Sequence, residues 1–193
     1  PLYSSAASDV YKRQQEIYLE MIPVTGSYIN AGIWTIRLEP VMTVTGQYYL
    51  YLPAGNGRGD STGFYRSTPQ VTLTVPSTAA KVITVGAYDP VYDTYADFSG
   101  RGYADSTRTI GVAAAGLTKP DLVAPGVNIQ APDVYGTFTP TTGTSFATPI
   151  VSGAAALLME WGIVRGNDPF LYGEKIKAYL RKGARPLRLS LIH

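Results

Sequence analysis

The stretch Ser145–Trp161, SFATPIVSGAAALLMEW, constrains the fold more than any other part of this 193-residue chain. It is apolar almost all round and rich in alanine, so it reads as a helix buried in a larger core. Pro149 is expected within the first turn, where a missing N–H is tolerated. At 17 residues, with that proline near its start and Glu160 near its end, the stretch is a poor membrane span. A place in a domain core suits it better.

Two shorter runs supply a sheet for that core. Lys81–Ala87 and Asp121–Gly126 are continuous apolar segments of strand length, as expected for parallel strands covered on both faces. A second helix is predicted over Pro169–Lys182, capped by Asn167 or Asp168, with Ile176, Tyr179 and Leu180 as its apolar stripe and Gly183 at its end. Before Pro76 the character differs. Ile33–Leu38, Gln47–Leu52 and Gln70–Val75 are rich in Trp, Tyr, Val, Ile and Thr, with a hairpin expected around Val41–Gly46, which favours antiparallel strands of a sandwich or barrel. That stretch is too small to close a sandwich by itself.

Composition bounds the function. With 45% hydrophobic and 16% charged residues the chain is globular, and a net charge of +2 with no Lys/Arg run gives no footprint for nucleic acid. Cysteine is absent, which excludes disulfides, thiolate metal sites and Cys nucleophiles. The single histidine is His193.

The ends read as foreign. Ser4–Gln14, SSAASDVYKRQ, can be encoded by a string resembling a transposase-type sequencing adapter, and the codons CTG TCT CTT ATA CAC for Leu189–His193 are the reverse complement of those for Val10–Gln14. Residues 1–14 and 189–193 are therefore set aside as adapter-derived. Without them 14 basic and 13 acidic residues remain, and no imidazole.

The chemistry concentrates at Gly143-Thr144-Ser145-Phe146-Ala147-Thr148-Pro149, which puts a hydroxyl where a turn becomes a helix N-terminus. Ser145 there is either an N-cap or a nucleophile. In the second case the helix N-terminus and nearby N–H groups would hold an oxyanion, and Gly143 would let a substrate backbone approach.

In order along the chain, Val82–Ala87, Phe98-Ser99-Gly100-Arg101-Gly102, Lys119–Val127 and Gly143–Ala156 resemble the subtilisin-like serine proteases. The resemblance implies that Ser145 is the nucleophile, activated by a His held by an Asp, with its backbone N–H in the oxyanion hole and no cofactor. Asp and His precede the Ser in that family, and no residue here can be assigned either role. Thr72–Ala79, Tyr95–Gly102 and Glu160–Pro169 are similar to the clostridial spore-germination branch, which carries a jelly-roll domain inserted ahead of the serine. The expected fold is thus α/β: the C-terminal half of a subtilisin-like doubly wound parallel-sheet domain over residues 69–188, preceded by part of a jelly-roll insert over 15–68. The branch implies a polypeptide substrate, such as a spore-cortex hydrolase precursor, in a secreted or spore-associated setting. Some of its members are catalytically silent and act in germinant signalling, so a pseudoprotease scaffold is the alternative. As a fragment, the chain alone is expected to be inactive and to leave apolar faces uncovered.

Other candidates are read more plainly. Ala54-Gly55-Asn56-Gly57 looks like an oxyanion-Asn motif, but it follows the insert's strands and reads as an Asn-Gly turn, so the oxyanion Asn is left unassigned. Ser145, Asp168 and His193 follow the order of an α/β-hydrolase triad, yet no strand is expected before Gly143. Arg58-Gly59-Asp60 reads as a polar turn, and Asp89, Asp93 and Asp97 as a solvated loop, not a metal site.

Overall fold

The computed structural model describes residues 2–9, 14–26, 29–39, 41, 48–52, 62–102 and 119–187. The chain divides into two compact units, Pro1–Gly55 and Asn56–His193.

In the first unit β1 (Leu2–Asp9) and β2 (Gln14–Met21) form an antiparallel hairpin, with Leu2 opposite Met21 and Asp9 opposite Gln14. The ladder joins residues that sequence analysis set aside to residues that it kept. Ile33–Leu38 and Tyr48–Leu52, expected as strands, are irregular. Ile33 is 93% exposed and Trp34 59%, so neither is enclosed by the described residues. Strand preference in such residues expresses packing on a sheet, and without a sheet it has no hold on the backbone. The Val41–Gly46 hairpin lies almost wholly outside the described residues.

The second unit is built on a three-stranded sheet ordered β4–β3–β5. β3 (Val85–Asp89) pairs in parallel with β5 (Leu122–Pro125) and antiparallel with the short β4 (Thr94–Tyr95). The expected parallel pair is present, but β3 starts four residues later than predicted. Residues 82–84 have other partners: the Val82 carbonyl and Thr84 hydroxyl accept from Lys119, and the Thr84 amide donates to Asp121. Gln70–Val75 likewise forms no strand. Val71 and Thr72 donate to the carbonyls of Gly102 and Arg101, and Val71 takes a positive φ of 58°.

A hairpin that the sequence reading missed, β6 (Ile129–Pro132) with β7 (Phe138–Thr141), leads into α1 (Thr144–Met159). Its turn is tied by Asp133, whose carboxylate accepts from the Tyr135 and Thr137 amides and the Thr137 hydroxyl. α1 runs on into a π-helical turn, Glu160–Val164. At its other end α1 starts at Thr144, so Pro149 is its sixth residue, past the first turn where it was expected.

α1 seats on the sheet through Ala147 and Val151, which form the core with Ala87, Ala96 and Ala124. These small side chains let helix and strands approach closely. The rest of α1 departs from the expected enclosure, since Leu157 is 68% exposed and Ile150 42%. The described chain provides a floor for this helix but no roof. By length and composition Thr144–Val164 could cross a membrane. In this structure its N-terminal half instead packs on the sheet through Ala147 and Val151.

The last helix, α2 (Gly173–Gly183), begins four residues after the predicted start. The proposed caps serve the preceding turn instead: the Asn167 amide donates to the Trp161 carbonyl, and the Asp168 N–H to that of Gly162. The predicted stripe is present. Ile176 is buried, Leu180 packs on the core, and Tyr179 meets Trp161 edge-on at 6.2 Å between ring centroids.

Candidate active site

The C-terminal ends of β3 and β5 open toward the start of α1, the end of a parallel sheet where ligands commonly bind. Chain geometry there depends on two glycines. Gly126 follows β5, and a Cβ built on it would lie 2.6 Å from the Ala87 Cβ and 3.1 Å from the Gly143 carbonyl. Its carbonyl accepts from the Gly143 N–H at 2.8 Å, which ties the loop before α1 to the end of the sheet. Gly143 has φ 152° and ψ 160°, a combination essentially confined to glycine.

Gly143, not Ser145, is the N-cap of α1, and no side chain caps this end. That resolves the two readings of Ser145 in one respect: it is the second helical residue and its hydroxyl is not used for capping. Ser145 is exposed. Its hydroxyl forms no hydrogen bond among the described residues, whereas that of Thr148 is spent on the Thr144 carbonyl at 2.9 Å. The N–H of Ser145 is among the first four of the helix, which have no acceptor one turn back. Pro149 lacks the N–H that would bond the Ser145 carbonyl, so the serine's backbone is free of the ladder on both sides. Phe146 lays its ring beside Gly143, and buried Ala147 anchors the turn to the sheet.

No acid in the first turn offsets the partial positive charge of the helix end. The described residues also include no histidine, His193 lying outside them. Asn56 and the Arg58-Gly59-Asp60 tripeptide also lie outside them. The hydrolase-type order Ser145, Asp168, His193 is not assembled. A strand does precede Gly143, against expectation, but Asp168 bonds Gly162 at the far end of the helix, about 25 Å from Ser145 at 1.5 Å per residue. Its carboxylate is held by Lys175 at 2.8 Å.

The Phe98–Gly102 motif supports the sheet from below. Buried Ser99 accepts from the Ala87 amide at 2.9 Å and donates to the Tyr95 hydroxyl, which donates to the Gly100 carbonyl at 2.7 Å. Burial pushes the Tyr95 phenol above its ordinary value, against the opposing effects of Ser99 and the Arg101 guanidinium, which lies 4.7 Å from the ring centre. Among the acids expected to form a solvated loop, Asp89 accepts from the Val91 and Tyr92 amides and Asp93 pairs with Arg185 at 3.6 Å. Asp89 and Asp97 line an open cavity of about 350 Å³ with Tyr92, Phe98 and Val127.

A family model described as the subtilase family, peptidase S8, matches residues 40–189. The chain belongs to the subtilase family. A solved structure of the CspB protease of Clostridium perfringens is 46% identical with a TM-score of 0.58, over 67% of this chain and 26% of that one. The serine protease AprX of Bacillus subtilis is 34% identical over 132 residues, 58% of this chain and 26% of the relative. Subtilisin BL of Lederbergia lenta is 35% identical over 115 residues, 60% of this chain and 35% of the relative. The chain thus spans about a quarter to a third of the length of these subtilases. Its fold is subtilisin-like, with mixed sheet and helices.

Proposed function

We propose that this chain is the serine-bearing part, residues 69–188, of a subtilase that hydrolyses peptide bonds, with Ser145 as its nucleophile. The observation that carries the reading is the exposed Ser145, its hydroxyl without a hydrogen bond among the described residues, at the second position of a helix whose N-cap is held in a glycine-only conformation. Residues 15–68 would then be the end of a β-rich insert, and residues 1–14 and 189–193 adapter-derived.

In the proposed reaction a His from the portion of the protein that this chain does not span removes the Ser145 proton, with an Asp orienting that His. The Ser145 oxygen attacks the scissile carbonyl carbon of a polypeptide. Negative charge on the carbonyl oxygen is met by the Ser145 N–H and by the dipole of α1, which has no competing acid in its first turn. Collapse of the intermediate expels the amine, protonated by the same His, and leaves an acyl-serine that water hydrolyses. No group other than side chains and backbone N–H is required.

The test is Ser145→Ala in the complete gene product. Peptide hydrolysis should fall by about 10⁶-fold in kcat while far-ultraviolet circular dichroism is unchanged. An unmodified protein that folds but hydrolyses no peptide would instead favour the non-catalytic scaffold.

A further inference from the structure

At the opposite end of the sheet from Ser145, two lysines converge on one carboxylate. The Asp121 side chain is fully buried, and those of Lys119 and Lys177 are 8% and 9% exposed. Lys119 Nζ donates to Asp121 Oδ2 at 2.8 Å, to the Val82 carbonyl at 2.8 Å and to Thr84 Oγ1 at 3.0 Å. Lys177 Nζ, from α2, lies 2.7 Å from Asp121 Oδ1 and donates to the Ala80 and Val82 carbonyls at 2.8 and 3.0 Å. An ammonium has three protons to give: Lys119 hydrogen-bonds three oxygens, whereas Lys177 hydrogen-bonds two carbonyls and meets Asp121 Oδ1 as an ion pair, that oxygen accepting no hydrogen bond among the described residues. An ordinary ion pair would need one lysine. Here the carboxylate and the Val82 carbonyl are each shared by two.

Without the ammonium groups the place is a cradle of five oxygens: the Ala80 and Val82 carbonyls, Thr84 Oγ1 and both oxygens of Asp121. Hard divalent cations take oxygen donors of this kind, completing six to eight ligands with water. The charge matches as well, because two ammonium groups and one divalent ion leave the same net charge beside one carboxylate. A buried carboxylate left alone would be strongly disfavoured, so without a cation beside it Asp121 would have to take up a proton. We propose that Lys119 and Lys177 fill an oxygen-lined cation site from within the chain, standing where a calcium-sized ion would otherwise bind. The protein therefore needs no metal at this place to hold residues 80–84, β5 and α2 together.

The experiment replaces both ammonium groups with an unbranched apolar side chain, Lys119→Met/Lys177→Met, in the complete gene product freed of metal with a chelator. Calorimetric titration with calcium should count one more ion per chain than in the unmodified protein, and calcium should raise the variant's Tm by more than it raises that of the unmodified protein. Adding Asp121→Asn should abolish the additional ion. A folded double variant that binds no more calcium than the unmodified protein at millimolar concentration would overturn the proposal. If the double variant is unfolded in chelator, millimolar calcium should restore its circular dichroism, and failure to do so counts against the proposal. Lys119→Asn, which keeps Lys177 and adds an amide oxygen, provides a milder second variant, and an ion count no higher than that of the unmodified protein would overturn the proposal as well.

Discussion

Replacing Gly126 with alanine tests the packing that places Ser145. The new methyl would lie 2.6 Å from the Ala87 Cβ, about 1 Å short of a normal carbon–carbon contact. It would also lie 3.1 Å from the Gly143 carbonyl and 3.5 Å from the Ala147 Cβ. None of these three atoms belongs to a side chain that can rotate away, so backbone has to move. Overpacking of this kind costs about 1–3 kcal/mol, and rigid neighbours on three sides put Gly126→Ala near the top of that range. The displacement passes through the Gly143–Gly126 hydrogen bond to the start of α1. A shift of about 1 Å there would lower kcat/KM by about 100-fold. Ala87→Gly supplies the control, since by itself it costs about 0.5–1 kcal/mol but in the Gly126→Ala background it removes the nearest contact. In the complete gene product, urea denaturation and peptide hydrolysis read across this double-mutant cycle should show partial rescue. A Gly126→Ala protein within about 0.5 kcal/mol of its parent, or an Ala87→Gly change that merely adds its own cost, would refute the argument.

Two further outcomes follow from the same structure. Burial pushes the Asp121 carboxyl up, but the Lys119 and Lys177 ammonium groups and the Thr84 amide outweigh it and hold the group below its ordinary 3.8. A depressed carboxyl stabilises the fold above its unfolded pKa, and that contribution fades as acid protonates it. The stability difference between the unmodified protein and Asp121→Asn should thus be level above about pH 5 and shrink below pH 4; a constant difference down to pH 2 would contradict the assignment. Ser99→Ala strips the buried Ala87 amide of its acceptor and should cost about 1–3 kcal/mol by urea denaturation, whereas a change below about 0.5 kcal/mol would mean that the amide finds another partner.

What the sequence revealed and what it hid divide along physical lines. The serine turn, the parallel pairing of the Val85 and Leu122 strands and the long apolar helix were legible because each has a strong local signal: a glycine-bounded hydroxyl, continuous apolar runs and an alanine-rich block. The β6–β7 hairpin was missed because Pro132 and Pro140 weaken the strand pattern, although Asp133 and Gly136 marked its turn. The late start of β3 depends on Lys119 and Asp121, more than thirty residues away, taking over the backbone of residues 82–84. The start of α2 shifted because Asn167 and Asp168 served the π-helical turn before them. The aromatic runs at Ile33 and Tyr48 were over-read, since their preference needs a partner sheet that the described chain does not provide. At the site, the sequence pointed to Ser145 but not to its freedom, which depends on Gly143 taking the cap.

The most direct test of Ser145 as nucleophile is covalent labelling of the complete gene product with a serine-reactive fluorophosphonate, followed by peptide mass spectrometry. Ser145 should carry one phosphonyl group, and denaturing the protein or changing Ser145 to alanine should abolish labelling. A folded protein that labels at another serine, or that leaves Ser145 unmodified, would contradict the assignment.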